Sequence, residues 1–391
     1  METFLSFLLR GLLLFSVAIS STVAAPTSAA DAAVTVLAPK QISRSELTQL
    51  IKRGGPNGIP PLAEARAAIA RGGFSSVPTW AAFYVVDGIE YRADFVGGSA
   101  FLGGTTRLDS VLVPIRIVLP YGVPSVPPKP TVFDPTDRIM PLLASPLFQP
   151  STYATGTTQF QDAVQRASFL NIAPGDWHTL LNMPRVLPAI EIRVPARYSV
   201  LYQVVETGAL IGAIDLNYWI EATDKLAQSL RVDARQLLMF FTENVFLSNG
   251  AMAFHGLALI APPGNIQTFV WASWYTPDTV DAGSADIAAM SHEIAEWMND
   301  PFIGNVTPEW RFPYWPFADP VGCLDLFEVA DVLELLPDPS YPVTLGGMTY
   351  HPQNQATASW FAREPAGSTT SLSYSFPDTS LLTTYSQPCP Y

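Results

Sequence analysis

Residues 285–302 read ADIAAMSHEIAEWMNDPF, and within this run His292, Glu293 and Glu296 stand at helical spacing. On a helix, residues four apart project from the same face one turn apart, so His292 and Glu296 are neighbours and Glu293 sits beside them. An imidazole nitrogen and a carboxylate oxygen so placed suit a divalent cation. The intervening carboxylate is then in position to take a proton from a water bound to that cation. The flanks argue that the helix is buried, because Ala285, Ile287, Ala288, Ala289, Ile294, Ala295, Trp297 and Met298 are apolar or small. A buried helix carrying His292, Glu293, Glu296 and the terminal Asp300 needs its charges compensated. A metal ion is the most economical means, and hydrogen bonding to Arg311 or to the backbone is the other.

The run differs by one residue from the His-Glu-x-x-His signature of zinc peptidases, with Glu296 in place of the second histidine. Glutamate keeps the one-turn spacing and offers an oxygen that zinc accepts. It also adds negative charge, which lowers Lewis acidity, and harder oxygen donors suit manganese or calcium as well. The third ligand expected is Glu328 in CLDLFEVAD, with Asp331 and Asp300 behind the ligands to orient them. Glu293 is the expected general base. Tyr314, Tyr350 and His351 are the candidates for stabilising an oxyanion. His255, on the alternating run AFHGLAL, reads as a structural histidine ahead of a ligand. His351 in TYHPQ either caps a loop or lines the site, and His178 in DWH reads as surface or structural.

The 391-residue chain is 48% hydrophobic and 14% charged, with a net charge of −13. Its 21 Lys and Arg against 34 Asp and Glu exclude a nucleic-acid partner, which requires a basic surface. Arg10, the apolar run Gly11–Ile19 and the small residues after it read as a secretory leader over residues 1–30. That run is too short for a membrane span, so a secreted, extracellular or periplasmic protein without stable membrane insertion is expected. Cys323 and Cys389 fit an oxidising compartment and are expected to pair.

The elements that must hold the motif read as α+β, with an antiparallel or mixed sheet and a buried zincin-like helix. After the leader come a helical extension over 31–78, a β-rich part over 79–220 and a metallopeptidase-like part over 221–391. Helices are expected around Ser45–Arg53, at Leu62–Arg71 and over 157–170, and in two pieces over 223–241 joined at Arg231-Val232-Asp233. WAAFYVVDG, EYRADFVGG, SVLVPIRIVLP, AIEIRVPA, SVLYQVVE, NVFLS, AFHGLALIAPPG and QTFVWASWY read as strands, with Pro114 placing its strand at an edge or a bulge. The proline-dense stretch 120–137 is neither helix nor central strand.

SHEIAEWMNDPF, the preceding hairpin and the segment Cys323…Glu328-Val329-Ala330-Asp331 resemble secreted bacterial metallopeptidase-like proteins. More distantly they are similar to the plant Exordium (phosphate-induced protein) family, whose helix has the form S/A-H-E-L-A-E-x-x-T-[ND]-P followed by an E-I-G-D-x-C-like segment. The helix motif falls on His292, Glu293, Glu296, Asp300 and Pro301, and the second segment on Glu328 and Asp331. Here the cysteine precedes the acidic pair instead of following it. The bacterial resemblance also takes in TTQFQDAVQRASF and TYHPQ…SWF, whereas the plant one covers the C-terminal half. It implies that glutamate in place of the second histidine belongs to the family pattern. Two readings follow. One is a secreted metal-dependent hydrolase, a zinc peptidase acting on peptides or proteins, with His292, Glu296 and Glu328 on Zn2+ or another divalent metal. The other is a non-catalytic extracellular or cell-wall-associated protein with a structural metal or polar cluster.

Overall fold

Six strands and three helices position the motif: β1 (Thr79–Val86), β2 (Ile89–Val96), β3 (Ser110–Leu119), α1 (Phe160–Phe169), α2 (Leu216–Leu230), β4 (Leu237–Glu243), β5 (Ala253–Ile260), β6 (Asn265–Trp274) and α3 (Ala288–Asn299). The computed structural model describes residues 37–52, 67, 69, 72–122, 129–313, 323–365 and 370–389, which all belong to one compact unit. The leader, the helix expected at 62–71 (apart from Ala67 and Ile69, both helical), part of the proline-dense stretch and Tyr314 lie outside these residues.

The main sheet has seven strands and is mixed. β3, β4 and β6 run parallel, and β5 closes one edge as an antiparallel hairpin with β6. The sheet therefore draws strands from both sides of residue 220. A smaller four-stranded sheet joins Lys40–Ile42, Ser199–Val204, Leu210–Ile214 and Val245–Leu247. β1 and β2 form a separate hairpin turned by Asp87 and Gly88, both at positive φ (51° and 82°), the conformation that two-residue hairpin turns require. The expected α+β class with a mixed sheet is what the chain adopts.

Two expectations about local structure are corrected. Ala234–Phe241, read as a second helical piece, instead supplies β4. α2 ends at Arg231 (φ +50°), and the chain then enters the sheet between two parallel neighbours. A strand covered on both faces shows a continuous apolar run, and LLMFF, rich in helix-forming Leu and Met, cannot be told from a helix by periodicity. Pro114 does not mark an edge strand, since β3 is paired on both sides. Its missing N–H falls between two short partner strands, Arg185–Val186 (against Val111 and Leu112) and Ile190–Arg193 (against Ile115–Val118), so it interrupts neither ladder.

The sheet separates two cores. Along β4, Leu238 and Phe240 face α2 with Trp219, whereas Met239 and Phe241 face the layer that contains α3. β6 alternates in the same way, with Phe269 and Trp271 on the α2 side and Val270 and Ala272 on the α3 side. All twelve residues of α3 are buried, packed by β5 and β6 and by β2 and α1. Full burial of Ile294, Trp297 and Met298 stabilises this packing by about 1.5–3 kcal/mol per side chain. The polar seams are closed as well. Gln165 Nε2 donates to Val96 O (3.0 Å) and Met298 O (3.2 Å), and Trp297 Nε1 donates to Thr268 Oγ1 (2.9 Å).

Cys323 and Cys389 form the expected disulfide, with Cα atoms 6.0 Å apart and a sequence separation of 66. It fastens the C-terminal segment to the strand Cys323–Leu326, which pairs with Val306–Arg311 and leads directly into Glu328. Closing a loop of that length restricts the unfolded chain. Cys389→Ser is therefore expected to lower stability by about 2–4 kcal/mol, measured by denaturant unfolding against the oxidised wild type. A loss below about 0.5 kcal/mol would show that the bond does not constrain the fold.

Candidate metal centre

α3 presents His292, Glu293 and Glu296 toward β5 and toward the segment that follows Leu326. His292 Nε2 lies 3.1 Å from Glu296 Oε2, 3.3 Å from Asp331 Oδ1 and 3.8 Å from Glu293 Oε1. The other ring nitrogen, Nδ1, is 3.0 Å from Gln353 Oε1. The Gln353 amide is itself fixed, because its Nε2 donates to Ala330 O (2.7 Å) and its backbone N–H donates to Ser291 Oγ (2.8 Å). Gln353 Oε1 can only accept, so Nδ1 carries a hydrogen, and in the neutral ring Nε2 turns its lone pair on two carboxylate oxygens. Three acceptors facing one another are repulsive without a cation or a proton between them. Ligands on a tetrahedral ion with bonds of about 2.0–2.2 Å are roughly 3.3–3.5 Å apart, so the observed spacings suit such an ion.

The carboxylates are held by neutral groups. Glu296 Oε1 accepts the backbone N–H groups of Ala330 (3.0 Å) and Asp331 (3.1 Å), which draws the acidic segment onto the helix. Asp300, at the C-terminus of α3, accepts from the N–H groups of Gly304 and Asn305. Asn305 is buried, with its amide donating to Asn299 O and Asp94 O, so the Asn305-Val306-Thr307 sequon offers no free acceptor amide. No Lys or Arg pairs with Glu293, Glu296, Asp300, Glu328 or Asp331 among the described residues, and their ion-pair partners are His255 and His292 alone. Arg311 is exposed and forms no ion pair with the cluster.

His255 was expected to be structural, yet the structure places it against the motif. Its Nδ1 is 3.0 Å from Glu293 Oε2 and 3.7 Å from Glu296 Oε2, and its Nε2 is 3.9 Å from Glu328 Oε2. Strand parity explains this, because His255 is in register with Val270, whose side chain belongs to the α3-side core. Glu328 thus stands beside His255, and Asp331, expected to orient a ligand, stands beside His292. Glu334 joins His292 and Asp331 as a third group of metal-ligand type.

The other candidates lie elsewhere. His351 Nδ1 is 2.6 Å from Asp286 Oδ2, and its N–H donates to Asp286 Oδ1, which ties a turn to the entry of α3. The Tyr350 hydroxyl donates to Pro141 O, and His178 pairs with the buried Asp162 at 2.7 Å. Gln353 was missed in the sequence, where a glutamine after His-Pro carries no signal until its partner is known.

Burial and like charge dominate the site. Burial pushes the Glu328 carboxyl well above its ordinary range, and repulsion from Glu296, Asp300 and Asp331 adds to this. Asp331 is raised to about 6 by burial and then by Glu296. Burial alone would lower His292, but Glu296 and Glu293 more than reverse it and leave it well above its ordinary value. The centre opens on a cavity of about 70 Å³ lined by His292, Glu293, Glu334, Gln353, Lys52 and Met252. A water needs about 10–15 Å³ of such space, so a few waters or one reacting carbonyl fit there. Comparison with family models, curated proteins and solved structures returned no match.

In the metal-free chain, raised carboxyls and imidazoles bind protons more tightly folded than unfolded, so stability falls as pH rises. The fall starts above the ordinary carboxyl value, passes through about 6 for Asp331 and continues as His292 loses its proton. The chelator-treated protein is expected to show a higher Tm at pH 5 than at pH 8, with added divalent metal raising Tm more at pH 8. A metal-free Tm that is flat or rises between these values would contradict the arrangement.

Proposed function

We propose that the chain is an exported, divalent-metal-dependent hydrolase of the zinc peptidase type. The observation that carries this reading is His292, whose Nδ1–H is committed to Gln353 while Nε2 faces Glu296 and Asp331 at 3.1 and 3.3 Å. His292, Glu296 and Asp331 would hold the ion, with Glu334 at the cavity wall as a further oxygen donor. A bound ion supplies Lewis acidity and lowers the pKa of a water it binds toward ~7. Zn2+ and harder ions such as Mn2+ both suit one imidazole with several carboxylates.

Glu293 is placed to serve as the base. Its Oε2 is held at 3.0 Å by His255, while Oε1 has no hydrogen-bond partner among the described residues, and the side chain lines the cavity. Oε1 receives the proton of the attacking water, and Gln353 keeps His292 in the tautomer that presents Nε2. The disulfide supports an oxidising compartment, as the leader-like N-terminus does. The resemblance of the helix and the acidic segment to metallopeptidase-like and Exordium proteins supports a maintained site with glutamate in place of the second histidine; peptides or proteins are the substrate class proposed for it.

A second reading rests on burial. His255, Glu293, Glu296, Glu328 and Asp331 are each at most 2% exposed and His292 is 5% exposed, which suits an ion that holds the fold together. The cavity against His292 and Glu293 favours the hydrolytic reading, because catalysis needs an open coordination position.

Elemental analysis of protein purified without added metal, with a broad peptidase assay, separates the readings. Glu293→Gln is expected to lower hydrolysis about 10²–10⁴-fold with metal still bound. Gln353→Leu is expected to weaken metal affinity about 10–100-fold. Bound metal with no hydrolysis in the wild type, and unfolding on its removal, would select the structural reading. Absence of metal would end both.

A further inference from the structure

A single ion leaves half of this cluster unexplained. Glu328 is 1% exposed, and neither of its carboxylate oxygens has a hydrogen-bond partner among the described residues. His255 is 2% exposed and its Nε2 is equally unpartnered, although it points toward Glu328 at 3.9 Å. Four buried carboxylates, Glu293, Glu296, Glu328 and Asp331, have no Lys or Arg partner among the described residues. Glu334, beside His292 and Asp331, adds another carboxylate. One divalent ion balances only two of these charges. Asp300 already has the N–H groups of Gly304 and Asn305.

We infer that the centre binds two divalent cations, the second held between His255 Nδ1, Glu293 Oε2 and Glu296 Oε2. These atoms lie 3.0 and 3.7 Å apart, measured from Nδ1, which is ligand-to-ligand spacing, and the three residues form a group of metal-ligand type distinct from His292, Asp331 and Glu334. The inference rests on the metal-centre reading above and extends it to a pair of ions. Glu296 joins the two sites, since its Oε2 is 3.1 Å from His292 Nε2 and 3.7 Å from His255 Nδ1 while Oε1 is anchored by backbone N–H groups. Glu293 also faces both, Oε2 toward His255 and Oε1 toward His292, so the ion that fixes Oε2 leaves Oε1 free as the base. With Nδ1 on the ion, the His255 Nε2–H faces Glu328. A carboxylate behind a ligating imidazole is the usual means of fixing its tautomer and raising its basicity. Two ions sharing a carboxylate favour hydrolysis, because the attacking and leaving oxygens can be stabilised together.

The test is the ion content of the full chain dialysed against Mn2+ and freed of excess, measured together with its electron paramagnetic resonance spectrum. Two Mn2+ per chain with the spectrum of a spin-coupled pair are expected. His255→Ala is expected to retain one Mn2+ with the six-line spectrum of an isolated ion. Glu328→Gln is expected to weaken the second ion about 10–100-fold and leave the first in place. One uncoupled Mn2+ per wild-type chain would overturn the pair and leave the single-metal reading standing. Two uncoupled ions unaffected by His255→Ala would place the second ion elsewhere and overturn the inference. No bound Mn2+, Zn2+ or Co2+ would overturn both readings. Should His255→Ala fail to fold, the wild-type ratio and spectrum decide alone.

Discussion

The hydrogen bond between His292 Nδ1 and Gln353 Oε1 sets the character of the whole centre. Without it, the neutral His292 ring could turn its N–H toward Glu296 and Asp331 and form an ordinary buried hydrogen-bonded pair. With it, the neutral ring directs a lone pair at two anionic oxygens in a site that solvent barely reaches, so the ring holds a proton tightly or takes a cation. An unpaired buried charge costs several kcal/mol, so the arrangement holds only if a cation or protons complete it. Gln353 is in turn fixed by Ala330 O and Ser291 Oγ, so one amide links α3, the acidic segment and the turn that carries His351.

Like charges must be forced together by something other than attraction, and the fold supplies this with backbone. Glu296 is clamped by the N–H groups of Ala330 and Asp331, and Asp300 by those of Gly304 and Asn305. α3 cannot shift to relieve the repulsion, because every residue on it is buried between the sheet, α1 and β2. Stability lent by Trp297, Met298 and Ile294 therefore offsets the electrostatic cost at His292, Glu293 and Glu296 on the same helix. A site of this kind keeps its geometry when an ion arrives, which lowers the reorganisation that binding or catalysis requires.

Much of the motif was readable from the chain because its signals are local. Helical spacing gave His292, Glu293 and Glu296, the apolar flanks gave burial, and Asp300 stood at the helix end. Glu328 and Asp331 were recognisable as acidic partners, but their assignment to particular histidines was not. That depends on how a turn at residues 328–331 packs, and sequence spacing does not encode it. His255 could have been found from parity: in AFHGLAL it alternates with Phe254, which faces the α2 side. The step lacking was the register with β6, a tertiary fact. β4 shows the reverse failure, where a local pattern was present and ambiguous. A strand buried on both faces carries no alternation, and only its parallel neighbours decide its conformation.

The disulfide lies closer to this chemistry than its place near the C-terminus suggests. Cys323 begins the strand that ends at Leu326, two residues before Glu328 and five before Asp331. That strand is short, and its pairing with Val306–Arg311 is interrupted by an irregular register between Val306 and Trp310. Its alignment therefore depends on Phe327 N–H donating to Asn305 O at one end and on the covalent tie to Cys389 at the other. The Asn305 N–H also donates to Asp300, so the same residue fixes the end of α3 and the start of the acidic segment. The two sources of anionic oxygen, helix and segment, are thus referenced to one point on the backbone. Their separation, which decides whether an ion is gripped or excluded, is set by covalent and hydrogen-bonded lengths more than by the charges themselves.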